Sequence, residues 1–320
     1  MSLPDITNHR PMGQVTVNHL EVPNAQVRVD GRDLLRSLVV LFKLRIVFLL
    51  LMAATGGAFM AAAGWPGLGR LLLVWVAGGM AAAGASSLNQ YLERTSDAYM
   101  GRTRRRPLVN GTIPNAGWVP AVGVALILLP SLAVLPFNPA LSFFLVFGAI
   151  IYVGVYTIWL KPRTLLNIVI GGAAGSAAVL SGSAAAGNWS DTGALVLALI
   201  LFLWTPFHFW SLALLYRDEY RRVDVPMLPA RTSPRQAALW VMSHTLPTGV
   251  AGLLLVVLPL LGWVYLLPVT IVTADLFWRN LKLIGDPSPA NARGLFMASN
   301  VYLLVLLLAI CVDATIASIF

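Results

Sequence analysis

From about residue 44 onward, the chain alternates between apolar runs of membrane-spanning length and short polar connections. A helix needs roughly 20 apolar residues to cross a bilayer core. Nine runs meet that length and predict helices at about 44–63, 69–92, 117–136, 139–159, 167–187, 193–215, 237–259, 262–281 and 294–318. The expected fold class is an all-α polytopic membrane protein with nine transmembrane helices. Residues 1 to about 35 break the pattern: they are polar, with Asp5, Glu21, Asp30 and Asp33 among scattered basic residues. They predict a disordered cytoplasmic tail over 1–35. The tail ends in an interfacial segment near Arg32 to Arg45, and a transmembrane domain over 36–320 follows. No apolar run lies near the start, which excludes a secretory signal peptide, and the acids of the tail argue against a transit peptide.

Composition agrees with the pattern. The chain is 58% hydrophobic and 11% charged over 320 residues, with a mean hydropathy of +0.78. A net charge of +9 would suggest a nucleic-acid partner in a soluble protein. Here the basic residues sit in short connections, where they set topology and meet anionic lipid or phosphate, so no nucleic acid is expected. With the N-terminus inside, every Lys and Arg except Arg70 falls on one side. That asymmetry predicts an N-in, C-out arrangement. Cys311 is the sole cysteine, which excludes an intrachain disulfide and a thiolate metal cage. Small-residue runs such as Gly78–Gly84 and Gly171–Gly175 are expected to serve close helix packing. The acids after the second and sixth spans lie four spans apart and so face the same side. This suggests two four-helix halves in parallel repeat plus a ninth helix.

The candidate chemistry begins at NQYLERTSDAYMGRTRRRPL, Asn89 to Leu108. Asn89, Glu93 and Asp97 recur every fourth residue, so on a helix their oxygens stack along one stripe, about 6 Å apart. Mg²⁺ takes one or two carboxylates, water and substrate phosphate oxygens. Arg102, Arg104, Arg105 and Arg106 follow at once, and guanidinium groups suit phosphate. The stretch reads either as a metal-bridged diphosphate site or as a solvated helix end with a topology-setting basic flank. His208 lies roughly 10 Å inside the sixth span. It is either a ligand for haem iron or a histidine hydrogen-bonded between helices, with His244 as the alternative ligand. Phe207, Phe209 and Trp210 around it line a cavity or form an aromatic belt. Asp218 and Glu219, with Arg217, Arg221 and Arg222 beside them, would offer a second acidic cluster to the diphosphate. Lys43, Arg45, Lys161, Arg163 and Asn167 open or close other spans on the same side. Each either joins the pocket or sets topology.

Three motifs carry a resemblance: N-x-x-x-E-x-x-x-D with M-x-R-T-x-x-R-P-L (Asn89 to Leu108), YTIWLKPRTLLNIVIGG (Tyr156 to Gly172), and W-x-P-x-H-F-W with E-Y-x-x-x-x-V-P-M-L-P (Trp204 to Pro229). Together they resemble the UbiA-type intramembrane prenyltransferases, and within them the haem O synthases. The resemblance implies a helical bundle around a central cavity in a bacterial cytoplasmic (inner) membrane. It implies Mg²⁺-dependent transfer of a farnesyl group from farnesyl diphosphate to the 2-vinyl group of haem B, giving haem O for terminal oxidases. Asn89, Glu93, Asp97, Asp218 and Glu219 are the implied catalytic and metal-binding residues. Lys43, Arg45, Arg102, Arg106, Lys161, Arg163, Asn167, His208, Trp210, Arg217 and Tyr220 are the implied substrate-binding set. Membrane lipid, haem A synthase and oxidase assembly proteins are the implied partners. The sequence departs from the family pattern where Glu93 replaces a common Asp, Leu44 and Phe207 replace prolines, and Asp224 replaces a small residue. The rival acceptor is a quinone precursor or a chlorin. A transporter is the rival class, but it would need ionisable residues through both leaflets, and the outer half holds only Arg70, Asp191 and Asp313 near its far ends.

Overall fold

A computed structural model describes residues 31–223 and 225–319. Residues 1–30 of the expected tail, Asp224 and Phe320 lie outside the described residues. Every described element is helical. Helix α1 (Gly31–Leu41) is short, with Leu34, Leu35, Val39 and Val40 exposed and Leu41 buried, and it occupies the place of the expected interfacial segment. Then come α2 (Leu44–Ala62), α3 (Leu68–Asp97), α4 (Val119–Val134) and α5 (Pro139–Ala149), which runs on as a π-helical stretch, Ile150–Leu160. Helices α6 (Asn167–Gly171), α7 (Ala173–Ala185) and α8 (Thr192–Leu215) follow. Two short helices, α9 (Arg217–Arg222) and α10 (Leu228–Arg231), precede α11 (Pro234–Leu254), α12 (Trp263–Gly285) and α13 (Pro289–Ala317).

Among the described residues, eight helices are long and apolar enough to cross a membrane. The expected run at 262–281 is helical as α12, but Asp275, Arg279 and Asn280 dilute its apolar content, so the count of nine rests on that helix. Caps set the boundaries. Asp191 accepts the Ala194 N–H at 2.8 Å to start α8, and Ser233 and Gln236 form a capping box at the start of α11. Asp313 has a less local role. From α13 its carboxylate accepts the N–H groups of Gly262 (2.5 Å) and Tyr265 (3.0 Å), and so caps α12.

The tightest packing joins α2 to α7. A Cβ on Gly182 would lie 1.7 Å from the Ala54 carbonyl oxygen, and one on Gly57 would lie 2.1 Å from that of Val179. Only glycine allows that approach between backbones. Of the small-residue runs singled out above, Gly84 and Gly172 also abut backbone, whereas Gly78, Gly79 and Gly175 make ordinary contacts. The connections after α3 and α8 meet at one end of the bundle: a Cβ on Gly101 would stand 3.1 Å from Glu219 Oε1. Lys43, Lys161 and Asn167 stand at the same end, so the expected gathering of these segments on one side is present.

Candidate functional site

The site is built on the last three turns of α3, which continues as helix through Asp97, past the expected end near residue 92. That extension keeps Asn89, Glu93 and Asp97 in one helical register. Each of the three meets a cation from another segment. Lys43 Nζ donates to Asn89 Oδ1 at 2.5 Å and to the Tyr152 hydroxyl at 3.0 Å. The Lys161 ammonium pairs with Glu93 Oε1, and the Arg106 guanidinium pairs with Asp97 Oδ2. These are shielded pairs, since the Glu93 and Asp97 side chains keep only 11% and 6% of their exposure. A solvated helix end would not look like this.

Residues that motif reading passed over hold the arrangement. Gln90 Nε2 donates to the carbonyls of Val40 (2.5 Å) and Leu41 (3.0 Å), tying the end of α1 to α3. Between α1 and α2, Lys43 adopts a left-handed conformation, φ 48°, which costs a non-glycine residue energy and turns its side chain toward Asn89. Asn89 Nδ2 in turn donates to Thr157 Oγ1 at 3.0 Å, which fixes the direction of its amide. Thr157 lies on the π-helical stretch and donates to Tyr152 O, five residues back, at 2.8 Å. The same stretch stacks the Tyr152 and Tyr156 rings, 6.0 Å apart, with Lys43 and Lys161 each 5.7 Å from one of them. The tyrosine spacing was visible in the sequence; the π register that aligns it was not. Burial and the Arg106 charge pull the Lys43 ammonium down to about 7. For Lys161, burial pulls the same way, but Tyr156 and Glu93 outweigh it and hold the ammonium above its ordinary value.

The second acidic group is arranged differently. Asp218 is exposed, and Glu219 sits against Gly101 with Oε2 buried and without a partner among the described residues. A groove of about 370 Å³ runs past both, lined also by Tyr216, Arg217, Pro234 and Pro289. Tyr220 is buried among Met100, Ile168 and Met227. Arg102 is exposed, 6.0 Å from the Tyr216 ring. Other candidates are engaged with backbone. Arg217 donates to the carbonyls of Pro229 (2.8 Å) and Thr232 (2.6 Å), and Arg163 to those of Ile158 and Trp159 at the end of its own helix. Asn167 is fully buried and donates to Thr164 O (2.7 Å) and Pro226 O (3.2 Å), with Oδ1 unpartnered among the described residues. Arg45 is exposed.

His208 is buried between α8 and α13. Its Nδ1 lies 2.7 Å from Ser299 Oγ, and its ring stacks 4.1 Å from Trp204 and lies tilted 4.6 Å from Phe296. The interhelical hydrogen bond anticipated as one reading is thus present. His244 is half-buried, 5.0 Å from the Trp210 ring, and Trp210 is a core residue whose Nε1 has no partner among the described residues.

Among the described residues, no three His, Cys, Asp or Glu side chains stand close enough to hold a metal, so the four acids do not gather around one ion. A Mg²⁺ ion does not require that: two carboxylates with water and phosphate oxygens suffice. Glu93 and Asp97 with the Asn89 amide oxygen supply such a set; Glu219, whose Oε2 has no partner among the described residues, stands outside it. The residues present fit the ion.

The sequence profile of the UbiA prenyltransferase family matches residues 49–307. A protoheme IX farnesyltransferase from Paramagnetospirillum magneticum is 39% identical over 279 residues, covering 87% of this chain and 98% of that one. One from Metallosphaera sedula is 38% identical over 271 residues, with coverage of 84% and 93%. One from Thermus thermophilus is 38% identical over 296 residues; they cover 90% of this chain but only 48% of the relative, so the chain spans about half that protein's length. In fold, the chain is similar to a digeranylgeranylglyceryl phosphate synthase (TM-score 0.73, 17% identity, 88% and 98% coverage). It is similar also to a UbiA homolog from Archaeoglobus fulgidus solved with GPP and Mg²⁺ (TM-score 0.56, 14% identity, 86% and 99% coverage). The chain belongs to the UbiA prenyltransferase family, in the branch of the protoheme IX farnesyltransferases.

Proposed function

We propose that the protein is a Mg²⁺-dependent prenyltransferase that moves a farnesyl group from farnesyl diphosphate to the 2-vinyl group of haem B. Its product is then haem O. The reading has it act from a single transmembrane domain, residues 36–320, in a bacterial inner membrane with its N-terminus inside. The observation that carries the diphosphate half is the stripe Asn89–Glu93–Asp97 facing Lys43, Lys161 and Arg106 at one end of the bundle. The names of the relatives at 38–39% identity support the haem half.

The charges suggest a division of labour. Asn89, Glu93 and Asp97 would hold the metal, with Asp218 and Glu219 as a second acidic contribution from across the site. A bound Mg²⁺ would supply Lewis-acid stabilisation of the diphosphate oxygens. The bond between the farnesyl C1 and its oxygen breaks, and the electron pair leaves with the diphosphate. Lys43, Lys161 and Arg106 neutralise that charge as it develops. The haem vinyl π electrons attack the allylic cation, water adds to the cation that results, and loss of its proton leaves the hydroxyl group. His208, inside α8 and away from the acids, is assigned to the haem. The test is direct: membranes containing the protein, given haem B, farnesyl diphosphate and Mg²⁺, should yield a species with the mass of hydroxyethylfarnesyl haem. A prenylated phenol in place of that product would favour the quinone-precursor reading.

A further inference from the structure

All three oxygen-bearing residues of the α3 stripe are bonded to cations, one apiece: Asn89 to Lys43, Glu93 to Lys161, and Asp97 to Arg106. The cations come from three separate segments: the α1–α2 junction, the end of the π-helical stretch, and the loop after α3. A divalent ion on Glu93 and Asp97 competes with Lys161 and Arg106 for the same carboxylates, either by taking the bonded oxygen, Glu93 Oε1 or Asp97 Oδ2, or by repelling the cation held there. It would then leave two positive groups unpaired in a shielded place, which is costly. A diphosphate removes that cost, because its anionic oxygens take over the displaced cations through charge-assisted bonds.

Resting on the function proposed above, we propose that Lys43, Lys161 and Arg106 are place-holders on the metal ligands, so that divalent metal and diphosphate load together and neither fills the site alone. The coupling is a swap of partners: carboxylates pass from ammonium and guanidinium to the metal, and the cations pass from carboxylates to phosphate oxygens. Because the coupling is thermodynamic, it works in both directions, and metal tightens diphosphate as much as diphosphate tightens metal. Metal and leaving group would therefore arrive and depart as a unit. The three cations are positioning residues before the reaction and charge partners during it.

The test uses the full chain in detergent with Mn²⁺ in place of Mg²⁺, free ion being counted by its electron paramagnetic resonance. Without diphosphate, Lys161→Gln and Arg106→Gln should each bind Mn²⁺ about tenfold more tightly than wild type. Adding Glu93→Gln to the Lys161→Gln chain should remove the gain. Arg279→Gln, which breaks an ion pair elsewhere on α12, should change nothing. A second arm needs no cation variant. By equilibrium dialysis, Glu93→Gln and wild type should hold equal Mn²⁺ without inorganic diphosphate, and differ about tenfold with it. Wild-type Mn²⁺ affinity in folded Lys161→Gln and Arg106→Gln, or tight diphosphate-free binding that depends on Glu93, would overturn the inference and leave the proposed function standing. Failure of wild type to retain Mn²⁺ even with inorganic diphosphate would overturn both.

Discussion

At Asp97 the difference between a carboxylate and an amide decides the chemistry. Asp97→Asn keeps the shape but leaves Arg106 without its charge partner and offers a poor ligand to Mg²⁺. Haem O formation in membranes should fall at least about a hundredfold, with normal amounts of protein in the membrane. Glu93→Asp retains the charge but draws it back from Lys161 by one methylene, and about tenfold loss is expected. Full activity in Asp97→Asn with ordinary metal dependence would take this residue out of the mechanism. His208 poses a different question, because its contacts to Ser299, Trp204 and Phe296 explain its burial without any ligand. If it also serves haem, His208→Ala should alter the absorption spectrum of bound haem and spare diphosphate binding, whereas Ser299→Ala should loosen only the ring's orientation. An unchanged spectrum in His208→Ala would reduce the residue to a link between α8 and α13.

Two features of the helices themselves govern how the site is held. The π-helical stretch Ile150–Leu160 sets the phase between Tyr152, Thr157 and Lys161, and hydropathy carries no trace of it, because the residues are apolar throughout either way. The α2–α7 seam depends on glycine. Gly182→Ala must push a methyl group into the Ala54 carbonyl, and it should destabilise by about 1–3 kcal/mol, read as a lower thermal midpoint in detergent. Gly69 in the first turn of α3 has open space around its missing side chain, and Gly69→Ala should not lower the midpoint, since helix propensity favours alanine by about 0.5–1 kcal/mol. Equal effects at the two positions would mean that backbone approach is not what holds α2 to α7.

For the molecule as a whole, orientation decides which side of the membrane receives the acid stripe. The basic connections and the stripe share one end of the bundle, and the proposed N-in arrangement expects that end in the cytoplasm. A reporter active only outside the cell should be silent when placed between Arg102 and Thr112, and active between Gly187 and Ser190. The reverse pattern would turn the diphosphate site outward, away from any cytoplasmic supply of its substrate.

The places of the spanning helices were legible in the sequence, because each needs only its own run of apolar residues, and among the described residues eight of the nine expected runs form helices long and apolar enough to cross a membrane. The spacing of Asn89, Glu93 and Asp97 was legible for the same reason: helix geometry is local. The sequence also contained every cation of the site, but not its assignment. Lys43 reaches Asn89 across 46 positions, and Lys161 reaches Glu93 across 68, so those pairs exist only once the bundle closes. Closure likewise drew Asn167 onto the Pro226 carbonyl, 59 positions away, which periodicity cannot reveal. It gave Asp313, at the far end, a helix to cap. Hydropathy acts along one segment, whereas ion pairing and orphaned backbone groups are settled between segments, and there only the tertiary structure decides.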